Sequence, residues 1–348
     1  MGLVTFDFNM TQEEFQEEYI PGDIRPEMAL RGERFAWREE RRKGRRLALF
    51  LKRGGYLGYA KRAEQCATKL QFYAMENGDK QLFSANFCHL RLCPMCTARR
   101  ARRAAYKLSK ILNKVEADHP GVTFLFMTLT VENCEGAELG DTLGLLTRAW
   151  KLLIDQRKIK RAIKGWFRAI EITRHKETGY HPHIHAIIAV EPEYFKRDSP
   201  LYITQDELAM RWQMALKVDY KPIVHIEKTK NKKDGMGAAL EAAKYVVKDE
   251  DYIDPELPED EAVQIVKDYT VALHRRRLTA FGGWLKEVAQ LFDAGNLDDG
   301  DLVHVEDETI RADIADYIET YEWHFGAGDY ILTSRRVNPL RVIKAEGV

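Results

Sequence analysis

The chain predicts an α+β protein whose core runs β-α-β-β-α-β, and three observations support this. First, residues 122–131 (VTFLFMTLTV), Trp166–Arg174 and His181–Val190 are runs dense in apolar and β-prone residues, bounded by turn signals. Second, helical spacing lies between them: Leu143, Leu146, Trp150 and Leu153 fall in register within 139–163. Third, Thr204-Gln205-Asp206-Glu207 is a capping box that opens a helix to about Lys217, and Pro222–Lys228 follows as a fourth strand. Only the short turn His175–Gly179 separates the middle strands, so they form a hairpin. This order predicts a central antiparallel sheet flanked by helices, with an N-terminal helical and zinc-binding region added to it.

The elements before the core follow from local pattern. Thr11-Gln12-Glu13-Glu14 is a capping box for a short acidic helix that Pro21-Gly22 ends. Residues 28–53 read as a basic helix that stops at Gly54-Gly55. Thr97–Glu116 reads as another helix, with Ala101, Ala104, Leu108, Ile111 and Val115 as its buried stripe. After the core, Leu257–Arg277 is helical and ends in His274-Arg275-Arg276-Arg277. Four regions result: a basic helical segment (1–60), a cysteine-rich segment with a basic helix (61–117), the core (118–290) and an acidic C-terminal region (291–348).

Net charge is zero, yet charge is segregated. Residues 31–53 hold ten Lys/Arg against three Glu, and residues 91–107 hold six basic residues and no acid. Residues 249–262 hold eight acids and no Lys or Arg, and residues 293–316 hold nine acids against one Arg. A positive side of this kind suits a polyanion, with Arg99, Arg100, Arg102 and Arg103 as candidate DNA contacts. The acidic stretch 293–316 could restrain that basic surface or contact a host protein. No apolar run is long enough to span a membrane, and no signal-peptide pattern opens the chain.

Five cysteines, four of them clustered, point to a metal site in a reducing, cytoplasmic setting and not to a disulfide framework. Cys88, Cys93 and Cys96 have the spacing C-x4-C-x2-C, and Cys66 lies upstream. Four thiolates of this kind suit a tetrahedral structural Zn²⁺. His89 is a substitute ligand, and an iron–sulfur cluster is the alternative occupant. Cys134 stands apart as a core residue.

His183 and His185 flank Ile184 in the third core strand, and alternation puts both imidazoles on one face. If the hairpin turns about Glu177, Glu171 lies opposite His183 and shares that face. Two imidazoles and a carboxylate suit Mn²⁺ or Mg²⁺ with open positions for substrate oxygens. A one-residue slip would turn Glu171 away, leaving His181 or His225 as third ligand.

The segment Ala238–Lys248 (AALEAAKYVVK) is dense in helix formers. With Glu241 at zero, Tyr245 falls near ~40° and Lys248 near ~−20°, so the three share a face opposite the aliphatic residues. A phenol needs help to ionise at neutral pH; Lys248 and a metal-bound phosphate could favour the phenolate, and Glu241 could take its proton. Taken alone, without the histidine strand, the segment reads rather as an amphipathic surface helix with an exposed tyrosine.

FMTLT (Phe126–Thr130), HPHIH (His181–His185) and EAAKYVVK (Glu241–Lys248), in that order, resemble the three motifs of HUH endonucleases. More narrowly they resemble those of rolling-circle plasmid replication initiators, in the single-tyrosine branch with Glu four residues before Tyr. RLCPMCTARR (Arg91–Arg100) is similar to the cysteine-rich stretch of one branch of that family, and the resemblance covers about residues 60–290. It implies a ferredoxin-like core that nicks origin DNA. Tyr245 would form a 5′-phosphotyrosyl bond and release a 3′-OH primer, and DNA would be rejoined at termination with help from Glu241. Single- and double-stranded origin DNA, a host helicase and a polymerase are the implied partners; a homo-oligomer is left open. Tyr252 is a candidate second nucleophile, although Asp254-Pro255 suggests a frayed helix end there. An HUH single-strand transposase and a non-catalytic, zinc-stabilised DNA-binding repressor are the alternative readings.

Overall fold

A computed structural model describes residues 36–229, 249–292, 294–306 and 310–341. The chain divides into two compact units.

The larger unit, residues 53–55 and 97–306, contains a five-stranded antiparallel sheet. The sequence elements preceding it in the chain are the helices α1 (Trp37–Arg53) and α2 (Leu57–Gln65), the strands β1 (Lys69–Ala74) and β2 (Lys80–Ala85), and the helix α3 (Pro94–Asp118). The strands of the sheet are β3 (Thr123–Thr130), β4 (Ile163–His175), β5 (Gly179–Val190), β6 (Val224–Lys228) and β7 (Thr279–Gly282). Their order is β6-β3-β5-β4-β7, with every neighbouring pair antiparallel. The first four strands therefore give the expected β-α-β-β-α-β core. The β3-to-β4 crossover leaves room for β5 between them, the split arrangement of ferredoxin-like sheets.

One expected helix, 139–163, is two: α4 (Leu139–Ile154) and α5 (Arg157–Ala162). The break comes at Gln156, whose backbone is extended (φ −63°, ψ 134°). Helix α6 (Gln205–Leu216) begins as expected, because the Thr204 side chain accepts a hydrogen bond from the Glu207 amide. A short α7 (Glu250–Ile253), α8 (Glu259–Ala272) and α9 (Gly283–Leu291) follow.

The two faces of the sheet have different neighbours. On one, Phe167, Ala169, Ile187 and Ala189 pack with Leu108, Ile111 and Val115 of α3 and Leu285 and Val288 of α9. On the other, Ile184, Ala186 and Ile188 are buried, and Trp150 of α4 meets Trp166 of β4 edge-on at 5.1 Å. Strict alternation along β5 makes the first face change character: Ile187 and Ala189 continue the core, whereas His185 and His183 carry the same face beyond it.

The β4–β5 turn is pinned. Gly179 has φ +77°, and a Cβ there would lie 2.6 Å from the Cys134 carbonyl oxygen. Cys134 exchanges two backbone hydrogen bonds with Tyr180, of 2.8 and 2.9 Å. Glycine is the residue that meets both demands without strain.

The smaller unit holds α1, α2 and a four-stranded antiparallel sheet of order β2-β1-β8-β9, completed by β8 (Tyr317–His324) and β9 (Asp329–Val337). The β8–β9 hairpin was not expected within the acidic C-terminal region. Trp37 of α1 packs edge-on against Phe72 of β1, and the other side of α1 exposes Arg42, Arg45 and Lys52. No described helix is long and apolar enough to cross a membrane.

Candidate metal centres

The β4–β5 hairpin pairs Glu171 with His183, the register expected for a turn centred near Glu177. The three polar groups converge. His183 Nε2 lies 3.0 Å from His185 Nε2, and Glu171 Oε2 lies 2.9 Å from His185 Nε2 and 3.6 Å from His183 Nε2. Ligands about 2.1 Å from one ion and at right angles stand about 3.0 Å apart, so the grouping fits a single octahedral ion with open positions.

Each ring is oriented by its other nitrogen. His183 Nδ1 lies 3.1 Å from the His181 carbonyl oxygen, which can only accept, so Nδ1 carries the proton and Nε2 keeps its lone pair. His185 Nδ1 lies 3.1 Å from the Thr128 hydroxyl, and Phe126 stacks on the ring at 5.3 Å. Burial, at 6% exposure, opposes ionisation of Glu171. Contacts with the His183 and His185 imidazoles outweigh that cost and hold its carboxyl below the usual carboxylate range.

Neither alternative third ligand joins the group. His181 places Nδ1 2.7 Å from Asn133 Oδ1. His225 lies opposite Thr128 on β6, two strands from His185, with Nε2 3.7 Å from Glu227. Thr128 and Asn133 carried no role in the sequence reading. Their signal is the β3–β5 register, which sets Thr128 directly across from His185.

In the smaller unit Cys66, Cys88, Cys93 and Cys96 are all buried, and their sulfurs form one cluster. Sγ–Sγ separations are 3.5 Å for Cys66–Cys96, 3.6 Å for Cys88–Cys96 and 3.5 Å for Cys66–Cys93. These exceed a disulfide bond and approach the ~3.8 Å expected around one tetrahedral ion with ~2.3 Å bonds. Pro94 opens α3, so Cys93 and Cys96 bracket its first turn. Hydrogen bonds from the other three thiols pull Cys88 below the usual thiol range, and the same contacts raise Cys66 and Cys93. Four thiolates packed this closely need a cation among them. His89 is exposed and is not in the cluster.

Arg99, Arg102 and Arg103 are committed to protein. Arg99 donates to the carbonyls of Leu302 (2.8 Å) and Val303 (2.7 Å), Arg103 to that of Asp299 (3.0 Å), and Arg102 to both oxygens of Glu306. Arg99 and Arg103 are buried, and Arg100 is half-buried. The stretch 299–306, expected as a restraint on this basic surface or a partner contact, thus lies against it. Tyr252 is 2% exposed and packs near the Tyr269 ring, so it sits in the core and not at a frayed end. Tyr245, Glu241 and Lys248 lie outside the described residues.

A family model described as "Replication protein" matches residues 79–331. The chain belongs to this replication protein family. A "Protein rep" of Streptococcus pneumoniae serotype 2 is 36% identical over 281 residues, covering 80% of this chain and 86% of that one. Proteins of the same description from Bacillus amyloliquefaciens and Lactiplantibacillus plantarum are each 34% identical; the alignments cover 86% and 91% of this chain and 95% and 98% of theirs. No solved structure matches. Membership agrees with the resemblance to rolling-circle plasmid replication initiators, and both side-chain clusters lie in or beside the matched region: only Cys66 precedes it.

Proposed function

We propose that this replication protein is a nicking-joining enzyme that starts rolling-circle replication at a plasmid origin. The observation that carries the proposal is the convergence of Glu171, His183 and His185 on one point of a rigid sheet, in a chain whose relatives are replication proteins. Mn²⁺ or Mg²⁺ held by these residues would polarise the scissile phosphate and offset its charge. Tyr245 is the nucleophile. Its oxygen bonds to phosphorus as the bond from phosphorus to the 3′ oxygen breaks, giving a 5′-phosphotyrosyl link and a 3′-OH primer. Lys248 favours the phenolate, whose proton passes to solvent as the departing 3′ oxygen takes one up, and at termination Glu241 activates water. One phosphodiester replaces another, so no external energy source is needed.

The four cysteines hold a structural Zn²⁺ in this reading. Origin DNA, single- and double-stranded, is the substrate, and exposed Arg42, Arg45 and Lys52 of α1 supply sequence-independent phosphate contacts. A host helicase and polymerase, in the cytoplasm, would extend the primer.

Covalent trapping tests the proposal. Incubation with single-stranded origin DNA and Mn²⁺ should give a protein–DNA adduct that survives denaturation and disappears in Tyr245→Phe. DNA binding without any adduct would favour a non-catalytic repressor, and an adduct persisting in Tyr245→Phe would move the nucleophile elsewhere.

A further inference from the structure

We infer that Thr128 is a positioning residue: its hydroxyl fixes the tautomer and the orientation of His185, and thereby sets metal affinity. The inference rests on the metal reading of the Glu171, His183 and His185 group, and it concerns a residue outside that group.

The two histidines solve the same problem differently. A metal-ligating imidazole must present a lone pair on one nitrogen, and a partner at the other nitrogen selects that state. For His183 the partner is a backbone carbonyl, which every residue at position 181 would supply. For His185 the partner is a side chain, Thr128 Oγ1, at 3.1 Å. Changes of sequence can therefore remove the support of His185 and cannot readily remove that of His183.

The placement of Thr128 is dictated by the sheet. β3 pairs with β5 so that Thr128 opposes His185 and Thr130 opposes His183. The same strand pairs on its other side with β6, where Thr128 opposes His225. Strand β3 is thus held from both sides, and the Thr128 backbone cannot shift away from His185 without disturbing two ladders. Phe126, two residues back on the same face, stacks on the His185 ring and blocks one direction of tilt. A hydroxyl can donate or accept; when Nε2 gives its lone pair to the ion, the proton sits on Nδ1, which donates to Oγ1.

The test compares Thr128→Val, which keeps the branched shape and removes the hydroxyl, with Thr128→Ser, which keeps the hydroxyl. Mn²⁺ affinity of the full chain, purified under reducing conditions, is measured by titration calorimetry without DNA. Loss of an outer-shell partner of this kind should weaken Mn²⁺ binding about 10–100-fold in Thr128→Val, with Thr128→Ser close to wild type. Valine is well suited to a strand, so the thermal midpoint of Thr128→Val should not fall, which separates positioning from structural support. Equal Mn²⁺ affinity in wild type and Thr128→Val, or an equal loss in both variants, would overturn the role of Thr128 alone. Absence of Mn²⁺ binding by the wild-type protein would overturn it together with the metal reading of the site.

Discussion

The Nε2 atoms of His183 and His185 stand 3.0 Å apart, with the Glu171 carboxylate 2.9 Å from the second of them. Lone pairs and a negative charge at this spacing repel unless a cation or a proton lies among them. Substituting either imidazole, by His183→Ala or His185→Ala, should abolish Mn²⁺ binding and adduct formation while leaving the fold intact. Calorimetry and circular dichroism check this; unimpaired binding in either variant removes that residue from the ligand set.

Glu171 also makes a prediction about pH. Burial works against its charge, contacts with the His183 and His185 imidazoles win, and the folded-state pKa lies below the ~4.3 of an unfolded glutamate. Its ionisation therefore adds stability above that pH, and the contribution is lost as pH falls toward the folded-state value. In chelator-treated protein the acid limb of Tm against pH should flatten in Glu171→Gln. An unchanged limb would show that the carboxylate gains nothing from the imidazoles.

Glu241 is expected to matter late in the reaction. Glu241→Ala should nick at a rate close to wild type and accumulate protein–DNA adduct at termination. Time courses of adduct formation and release check the split; normal release removes the assigned role.

The cysteine cluster should carry one zinc per chain. Cys93→Ser leaves three thiolates, so zinc content should fall and stability should drop by several kcal/mol. Elemental analysis after reducing purification, followed by thermal melts, tests both. A wild-type protein without bound metal would rule out the structural site.

Residues of the two basic runs should behave differently. Arg99→Ala strands the buried carbonyl of Leu302 and the half-buried one of Val303 and should cost about 1.5–3 kcal/mol of stability. Lys52→Ala, on the exposed face of α1, should leave stability unchanged and reduce the salt dependence of DNA binding by about one counterion. Denaturant melts and affinities measured over a salt series separate the two, and a reversed pattern would relocate the DNA contact.

The core was legible because its signals are local. The His175–Gly179 turn sets the hairpin register, and register alone puts Glu171 opposite His183. The β1-β2-β8-β9 sheet was not, because Leu70 pairs with Tyr321 and nothing near either residue names a partner about 250 positions away. Strand β7 is four residues long and acquires its identity from the edge of β4. Within 91–107, composition shows positive charge but cannot tell an open guanidinium from one spent on carbonyls. Thr128 lies within the FMTLT motif, whose residues carry no individual roles in the sequence, and only cross-strand pairing gives its hydroxyl a partner.

Gly179 has a consequence that reaches far from its own turn. A methyl group added there would press on the Cys134 carbonyl. The easiest relief is for one arm of the hairpin to slide, and a slide of one position swaps inside for outside along that arm. Coordination would then be lost with every ligand residue unchanged in the sequence. Inactive variants of this protein are thus also to be sought in residues that never meet the ion, and a survey confined to ligands would overlook them.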